Sequence, residues 1–447
     1  MTSARAVGRF TVFRRGRAFL RLAKARLIFW AGAVAVGLIA VLFSRLTEWA
    51  SHLFHREIYY QPWMTFVITP LAGIILMWLT RRFFAGIEGS GIPQVMVELE
   101  RTPEDKWSPL VSLRMMIGKV MLGAGAIGSG FSFGSEGPMV QIGASVMASI
   151  RRFLPRGSQI HRRHLLVVGA AAGISAAFNT PLAGIIFAIE ELNRGIESRM
   201  SALIITGIVL AGIVARLLAG NHSYFDQILI SGSYSTVVQI VLLSALVTGI
   251  LGGLFARILE IAASNWNTPL GRLRANRPYL FAGLCGLLLA ALGWTSGGFS
   301  YGTGIPETVA LLEGKEAIPW HFGITKFIAT LVSCISGLPG GTFAPALAIG
   351  AGIGHDLFLL LGEDAPSGML LVFCMTGFLA AVTQAPITAF VIVMEMVDGY
   401  RLVIGLMFTA LMASGISRSI APPIYIFLAE RLLRNKRAAV PPAPTSG

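Results

Sequence analysis

Gly134-Ser135-Glu136-Gly137-Pro138, followed by Met-Val-Gln-Ile-Gly-Ala, lies in the middle of a long apolar region. It places one ionisable carboxylate where lipid or packed protein is expected. An acid at that depth is expensive enough to be a functional residue by default. The Gly-Pro pair behind it predicts a helix start, since proline suits the first turn and leaves the next N–H groups unpaired and aimed back along the axis. Such a helix end attracts negative charge. It can hold either Glu136 itself or a free anion.

The surrounding composition agrees with a membrane setting. Of 447 residues 54% are hydrophobic and 13% charged, and 51 are glycine, which excludes a soluble globular enzyme and a disordered chain. The net charge of +14 is concentrated between apolar runs and at the two ends. No aromatic residues interleave with it on a polar face, so it reads as membrane topology and no nucleic-acid partner is expected. Residues 1–26 carry Arg5, Arg9, Arg14, Arg15, Arg17, Arg21, Lys24 and Arg26 with no acid, and residues 431–447 begin with Arg431, Arg434, Lys436 and Arg437 before a Pro-rich end. Both segments are expected to be cytoplasmic, the second as a short disordered tail. No small-residue cleavage site marks the first as a clear signal peptide.

Between them, apolar segments fall near 27–44, 63–80, 110–128, 138–150, 164–190, 201–219, 236–263, 278–296, 320–336, 343–362, 367–396 and 402–428. Several are short, fused or interrupted by Gly and Pro. Broken helices at membrane depth survive only where protein or a water-filled cavity covers the freed backbone groups, which is the pattern of a transporter or channel. Cys285, Cys334 and Cys374 sit inside apolar sequence without metal-like spacing and read as buried apolar residues.

The chain also repeats itself. Gly89-Ser-Gly-Ile-Pro93 matches Gly302-Thr-Gly-Ile-Pro306 at an offset of 213; Lys119 matches Lys326, and Gly134-Ser-Glu-Gly-Pro138 matches Gly341-Thr-Phe-Ala-Pro345, both at 207. Thr180-Pro-Leu-Ala through Glu190 resembles Ala385-Pro-Ile-Thr through Glu395 at an offset of 205. Four matches in one order predict two halves on one template, about 27–225 and 235–430, with a binding site at their interface near the midplane. With both ends cytoplasmic, an odd number of spans per half makes the repeat inverted.

These motifs, together with a lone Tyr425 after Pro422-Pro423, resemble the signature set of the CLC family of chloride channels and chloride/proton antiporters, over about residues 30–430. The resemblance implies an all-α polytopic membrane protein, a two-fold inverted repeat of tilted, partly broken helices. It also implies a homodimer with one pathway for chloride and protons per subunit, in the cell membrane, and no cofactor or metal. Ser90, Ile92, Gly137, Thr342, Phe343 and Tyr425 become the anion ligands, and their own chemistry fits. Ser90 and Tyr425 offer hydroxyls, and the N–H groups at 342–343 lie at a helix start. Partial charges of about +0.5 at helix ends attract an anion without holding it as a full cation does.

Glu136 is then the gating carboxylate, competing with the anion when ionised and yielding when protonated. Glu191, second of the Glu190-Glu191 pair, is the inner proton-transfer candidate, with Glu190 its structural neighbour. Lys119 is an electrostatic support for the pathway. Two departures stand out: Ser135 where the family often has Arg, and Gln94 where its antiporters commonly have Glu.

Other readings stay open at this level. The protein can be a passive chloride channel in place of an exchanger. Taken singly, Ser90 can be a helix cap, Tyr425 an interfacial anchor, Glu191 a helix end, and Lys119 and Lys326 partners of buried acids or carbonyls. An intramembrane hydrolase built on Ser132, or a scaffold without transport, belongs to different classes. Gly123-Ala-Gly-Ala-Ile-Gly128 and Gly130-Phe-Ser-Phe-Gly134 match dinucleotide and nucleophile-elbow patterns but lack the strand contexts those need. His161 and His164 lie in a basic loop that reads as solvated surface.

Overall fold

The computed structural model describes residues 3–101, 109–155, 157–158, 160–192, 201–220, 234–264, 268–314, 318–362 and 366–438. The junction expected between the halves and the last nine residues lie outside the described residues. The first half holds α1 (Ser3–Tyr60), α2 (Thr65–Phe83), α3 (Ile92–Leu99), α4 (Leu113–Ile127), α5 (Glu136–Ile150), α6 (Arg162–Phe178), α7 (Pro181–Phe187) and α8 (Ser201–Ala219). The second holds α9 (Tyr234–Ser264), α10 (Pro269–Asn276), α11 (Pro278–Thr295), α12 (Ile305–Glu313), α13 (Phe322–Ser336), α14 (Phe343–Leu361), α15 (Ser367–Thr383), α16 (Pro386–Met396), α17 (Val403–Ile420) and α18 (Ile424–Ala438). No strand occurs among the described residues, only two isolated bridges. Among the described residues, six helices are long and apolar enough to cross a membrane.

The fused apolar segments divide where the sequence demands it. The run 164–190 breaks after Asn179 (φ 58°), two residues before Pro181, and the run 367–396 after Gln384 (φ 56°), two before Pro386. A left-handed residue ends each first helix, and proline opens the next with its missing N–H at an unpaired position. The segment from Arg431 differs from expectation: α18 continues through it to Ala438. Its Tyr425 end is anchored by packing of α18 on α3 and α9, and that docking carries the helix outward past the basic residues.

Helix packing repeats between the halves. The pairs α1–α8, α4–α5, α5–α6 and α6–α8 recur as α9–α17, α13–α14, α14–α15 and α15–α17. Small residues permit the closest approaches. A methyl group on Gly143 of α5 would run into the Gly169 carbonyl of α6, and one on Gly350 of α14 into the Cys374 carbonyl of α15. The halves meet across α2 and α11 in a reciprocal contact: Gly73 lies against the Ala282 carbonyl, and Gly286 against the Thr69 carbonyl. Each member is 213 residues from its counterpart, so this pair of contacts lies across a local two-fold axis. The antiparallel bridge Gly134–Gly341 obeys the same relation, with each N–H donating to the other's carbonyl at 2.8 and 2.9 Å. Residues 69 to 73 of α2 run against 286 to 282 of α11, and both helices are long and apolar enough to cross a membrane, so the repeat is inverted.

Candidate functional site: a chamber between the repeat halves

The backbone around the axis is fixed by side chains that repeat with the fold. Lys119 is fully buried and donates to the carbonyls of Ile87 (2.8 Å) and Gly89 (2.6 Å). Lys326 donates to those of Ser300 (3.1 Å), Tyr301 (2.8 Å) and Gly302 (2.9 Å). Both lysines thus hold the turn before a Gly-x-Gly-Ile-Pro helix start. A buried ammonium is tolerable only when its donors are taken up this way. Gln94 works on the same turn, its amide donating to Gly86 (3.3 Å) and Glu88 (2.6 Å) carbonyls. An ionised Glu has no proton for either acceptor, which gives the Gln94 departure a local reason.

The two Glu of the fourth match cross between halves. Glu190 accepts from the N–H groups of Ile387 (3.0 Å) and Thr388 (2.6 Å) at the start of α16, and from the Thr388 hydroxyl at 2.7 Å. Glu395 accepts from Leu182 (3.2 Å) and Ala183 (2.7 Å) at the start of α7. Each carboxylate caps the other half's helix. Glu191 sits half-buried beside Glu190 in a π-helical turn, Ala188–Leu192. Arg194, which follows it, lies outside the described residues.

At the centre, Gly91 (φ 99°) turns the chain into α3, and Ser90 Oγ accepts from the Ile92 N–H at 3.4 Å. Gly137 is the point of convergence: a methyl there would come 3.0 Å from both Ser90 Cβ and Gly341 Cα, so only glycine lets the starts of α3 and α5 and the 341 turn meet. Thr342 precedes α14, and its Oγ1 lies 2.9 Å from the Tyr425 hydroxyl. Phe343 stacks on the Tyr425 ring, centroids 6.3 Å apart and planes within 9°. Ser90, Thr342 and Tyr425 line one cavity of about 100 Å³. Ile92, Gly137, Phe343 and Lys119 frame it from behind without lining it.

Glu136 does not face that cavity. It is the first residue of α5, buried, and its carboxylate turns across the axis to accept the Ala344 N–H at 3.3 Å in the first turn of α14. Ser135 Oγ donates to its other oxygen at 3.2 Å. The carboxylate's seat depends on Gly134, because a methyl there would occupy the place of Glu136 Oε2. One carboxylate thus occupies the start of α14, with the Ser90–Thr342–Tyr425 chamber next to it along Thr342 and Phe343.

Several site features have no signature in the sequence. Arg81, Arg274 and Arg431 line a second cavity of about 360 Å³ that shares Ser90 and Cys334 with the first. Their charge is indistinguishable from topology charge until the helices are placed. Cys334 is only partly buried and lines both cavities. Ser132 hydrogen-bonds Thr330 at 2.9 Å between the halves, and its N–H donates to Ser333 Oγ at 2.9 Å, an arrangement for packing and not for a nucleophile. His161 and His164 form the cap of α6. No group of three or more potential metal ligands occurs among the described residues.

Broken helices related by an internal two-fold, with their starts aimed at a shared chamber, define an inverted-repeat membrane transport protein. Residues 72–418 match the family model of the voltage gated chloride channel, and the chain belongs to that family. It is similar to the H(+)/Cl(-) exchange transporter ClcA of Klebsiella pneumoniae, 30% identical over 461 aligned positions covering 96% of this chain and 94% of that one. ClcA of Cronobacter sakazakii is 29% identical over 428 positions, 91% and 89% of the two chains. Among solved structures, a slow cyanobacterial Cl−/H+ antiporter matches with a TM-score of 0.79 at 25% identity, covering 93% of this chain and 99% of that one. A CLC-type fluoride/proton antiporter shares the fold, with a TM-score of 0.73 at 21% identity over 91% and 98%.

Proposed function

We propose that the protein exchanges chloride for protons across the cell membrane, with Glu136 as the element that couples them. The observation that carries this reading is the Glu136 carboxylate seated on the Ala344 N–H at the start of α14. Ionised, it satisfies that helix end and keeps chloride out. When it gains a proton it loses its charge, the N–H groups become available, and chloride from the Ser90–Thr342–Tyr425 chamber advances. The proton leaves again when the carboxylate returns, so the two ions move alternately through one place. The relatives' names and the match to an antiporter structure support exchange in preference to a passive channel.

Within this reading Ser90, Thr342 and Tyr425 bind chloride through their hydroxyls, and Ile92, Gly137 and Phe343 supply the helix-end backbone around it. Lys119 adds positive potential through the turn it holds, one residue before Ser90. Glu191 passes protons between the cytoplasm and Glu136. The dense Arg and Lys content near both termini supports a cytoplasmic position for them and for the Arg274 side. The protein works as a homodimer, each subunit with its own pathway.

The test is proton flux in liposomes under an imposed chloride gradient. Wild type should drive protons uphill as chloride runs down, whereas Glu136→Gln and Glu191→Gln should move chloride without protons. Wild-type chloride movement with no proton movement would make the protein a channel or an uncoupled carrier.

A further inference from the structure

The internal two-fold supplies a control for the cavity of about 360 Å³. Arg81, Glu88 and Gln94 on its wall stand 213 residues before Trp294, Tyr301 and Glu307, which line a cavity of about 530 Å³ on the opposite side of the molecule. The same frame therefore opens twice. The Trp294 cavity has no Lys or Arg on its wall and is built from Ile58, Tyr59, Trp294, Phe299 and Tyr301. The Arg274 cavity has three arginines and one acid, Glu88. The repeat folds without cations at this position, so holding the helices together does not account for the arginines.

Of the three, Arg274 is the one at the neck. It lies on the short helix α10 and lines both the larger cavity and the chamber of about 100 Å³ that holds Ser90, Thr342 and Tyr425. Its hydrogen bond is a long one, 3.5 Å to the Ala262 carbonyl, and no carboxylate lies within 4 Å of its guanidinium among the described residues. Burial, and then the neighbouring Arg431 charge, hold it below the ordinary arginine range, with Arg81 adding to the repulsion and Glu88 opposing it. Arginine stays charged even so. The compensation this group lacks is an anion, and the space beside it leads to the chloride chamber.

We propose that Arg274 is an anion-docking residue at the mouth of the pathway, which holds chloride between the wide cavity and the Ser90 chamber and raises its occupancy there. This rests on the exchange reading above and adds to it a residue that sets apparent chloride affinity from one side. Arg81 and Arg431 extend the field outward without touching the chamber. A cleft lined by one sign of charge concentrates the opposite ion in this way.

The test uses the full chain in liposomes and the chloride concentration giving half-maximal exchange. Arg274→Gln should raise it roughly tenfold at low ionic strength, and Arg274→Lys should fall between the two. The difference should shrink as ionic strength is raised with an untransported anion such as isethionate, while the proton-to-chloride ratio stays that of wild type. Arg81→Gln, on the outer rim, should raise it about twofold with the same salt dependence, and serves if Arg274→Gln fails to fold. Half-saturation and salt dependence unchanged in Arg274→Gln, or in Arg81→Gln if that is the one that folds, overturn the assignment. A wild type that moves chloride without protons sinks the exchange reading alone, because the Arg274 comparison is still read from chloride; a wild type without chloride flux sinks both.

Discussion

The first half and the second half of the chain place the same backbone around the same axis and put different side chains on it. Where they agree, the residues hold the frame. Lys119 and Lys326 gather carbonyls, Glu190 and Glu395 cap each other's helix, and Ser90 and Thr303 each accept an N–H two residues on. Where they disagree, the residues meet the space between the halves. Glu136 corresponds to Phe343, Ser135 to Thr342, and Arg81 to Trp294. The helix starts of α5 and α14 are equivalent, yet one presents a carboxylate to its partner's N–H and the other an aromatic ring to Tyr425. Chemistry is legible as broken symmetry in a frame that would otherwise be duplicated.

The largest expected effect comes from making the two helix starts alike in charge. Glu136→Gln removes the only ionisable group at either start, and proton transport in liposomes should drop at least about a hundredfold while chloride flux persists, a difference of about 2.7 kcal/mol in the coupled step. Full coupling in this variant would mean that the asymmetry at 136 and 343 has no functional content. Gly134→Ala should come next. Its methyl group occupies the place of Glu136 Oε2, so the carboxylate is pushed off α14 while remaining in the protein. Proton flux should fall roughly tenfold at unchanged chloride flux. A variant coupled as tightly as wild type would show that the seat on Ala344 is not used during exchange.

How much of this was legible in the sequence follows from the same distinction. The repeat offsets were readable because the frame residues are costly at membrane depth and specific in type: buried lysines, Gly-Pro helix starts, a Glu near each short helix. Their order predicted two halves on one template, and inversion followed only with cytoplasmic ends, an odd number of spans per half and the family resemblance. Their roles were not, because the acceptors of Lys119 and the helix capped by Glu190 are brought near only by folding. Glu190 reaches a partner 197 residues away. Gln94 looked like a missing acid until the carbonyls of Gly86 and Glu88 appeared beside it. The arginines lining the wider cavity were invisible for a different reason. Charge near a helix end satisfies the topology rule equally well whether it faces lipid headgroups or a cavity.

Frame residues should behave in matched pairs. Glu190→Ala and Glu395→Ala each leave two N–H groups at a helix start without a carboxylate, and each should lower stability by about 2 kcal/mol. Thermal unfolding followed by loss of the dispersed peak in size-exclusion chromatography would compare them directly. The protein that remains folded should exchange with wild-type stoichiometry in both. A loss of coupling in Glu190→Ala but not in Glu395→Ala would move Glu190 from the frame to the pathway and bring the neighbouring assignment of Glu191 into question.

The smallest effects fall on a pair whose local geometry is the same. Ser90 and Thr303 accept from Ile92 and Ile305 at 3.4 and 3.3 Å. Losing such a long bond should cost about 0.5 kcal/mol in either half, so Ser90→Ala and Thr303→Ala should unfold at nearly equal temperatures. Only Ser90 lines the chamber with Thr342 and Tyr425. Half-maximal exchange should therefore need about fivefold more chloride in Ser90→Ala and the wild-type amount in Thr303→Ala, since one hydroxyl donor to an anion is worth on the order of 1 kcal/mol. Equal shifts in both would mean that the hydroxyl serves the turn in each half and the anion in neither, and that the chloride site is built from backbone N–H groups alone.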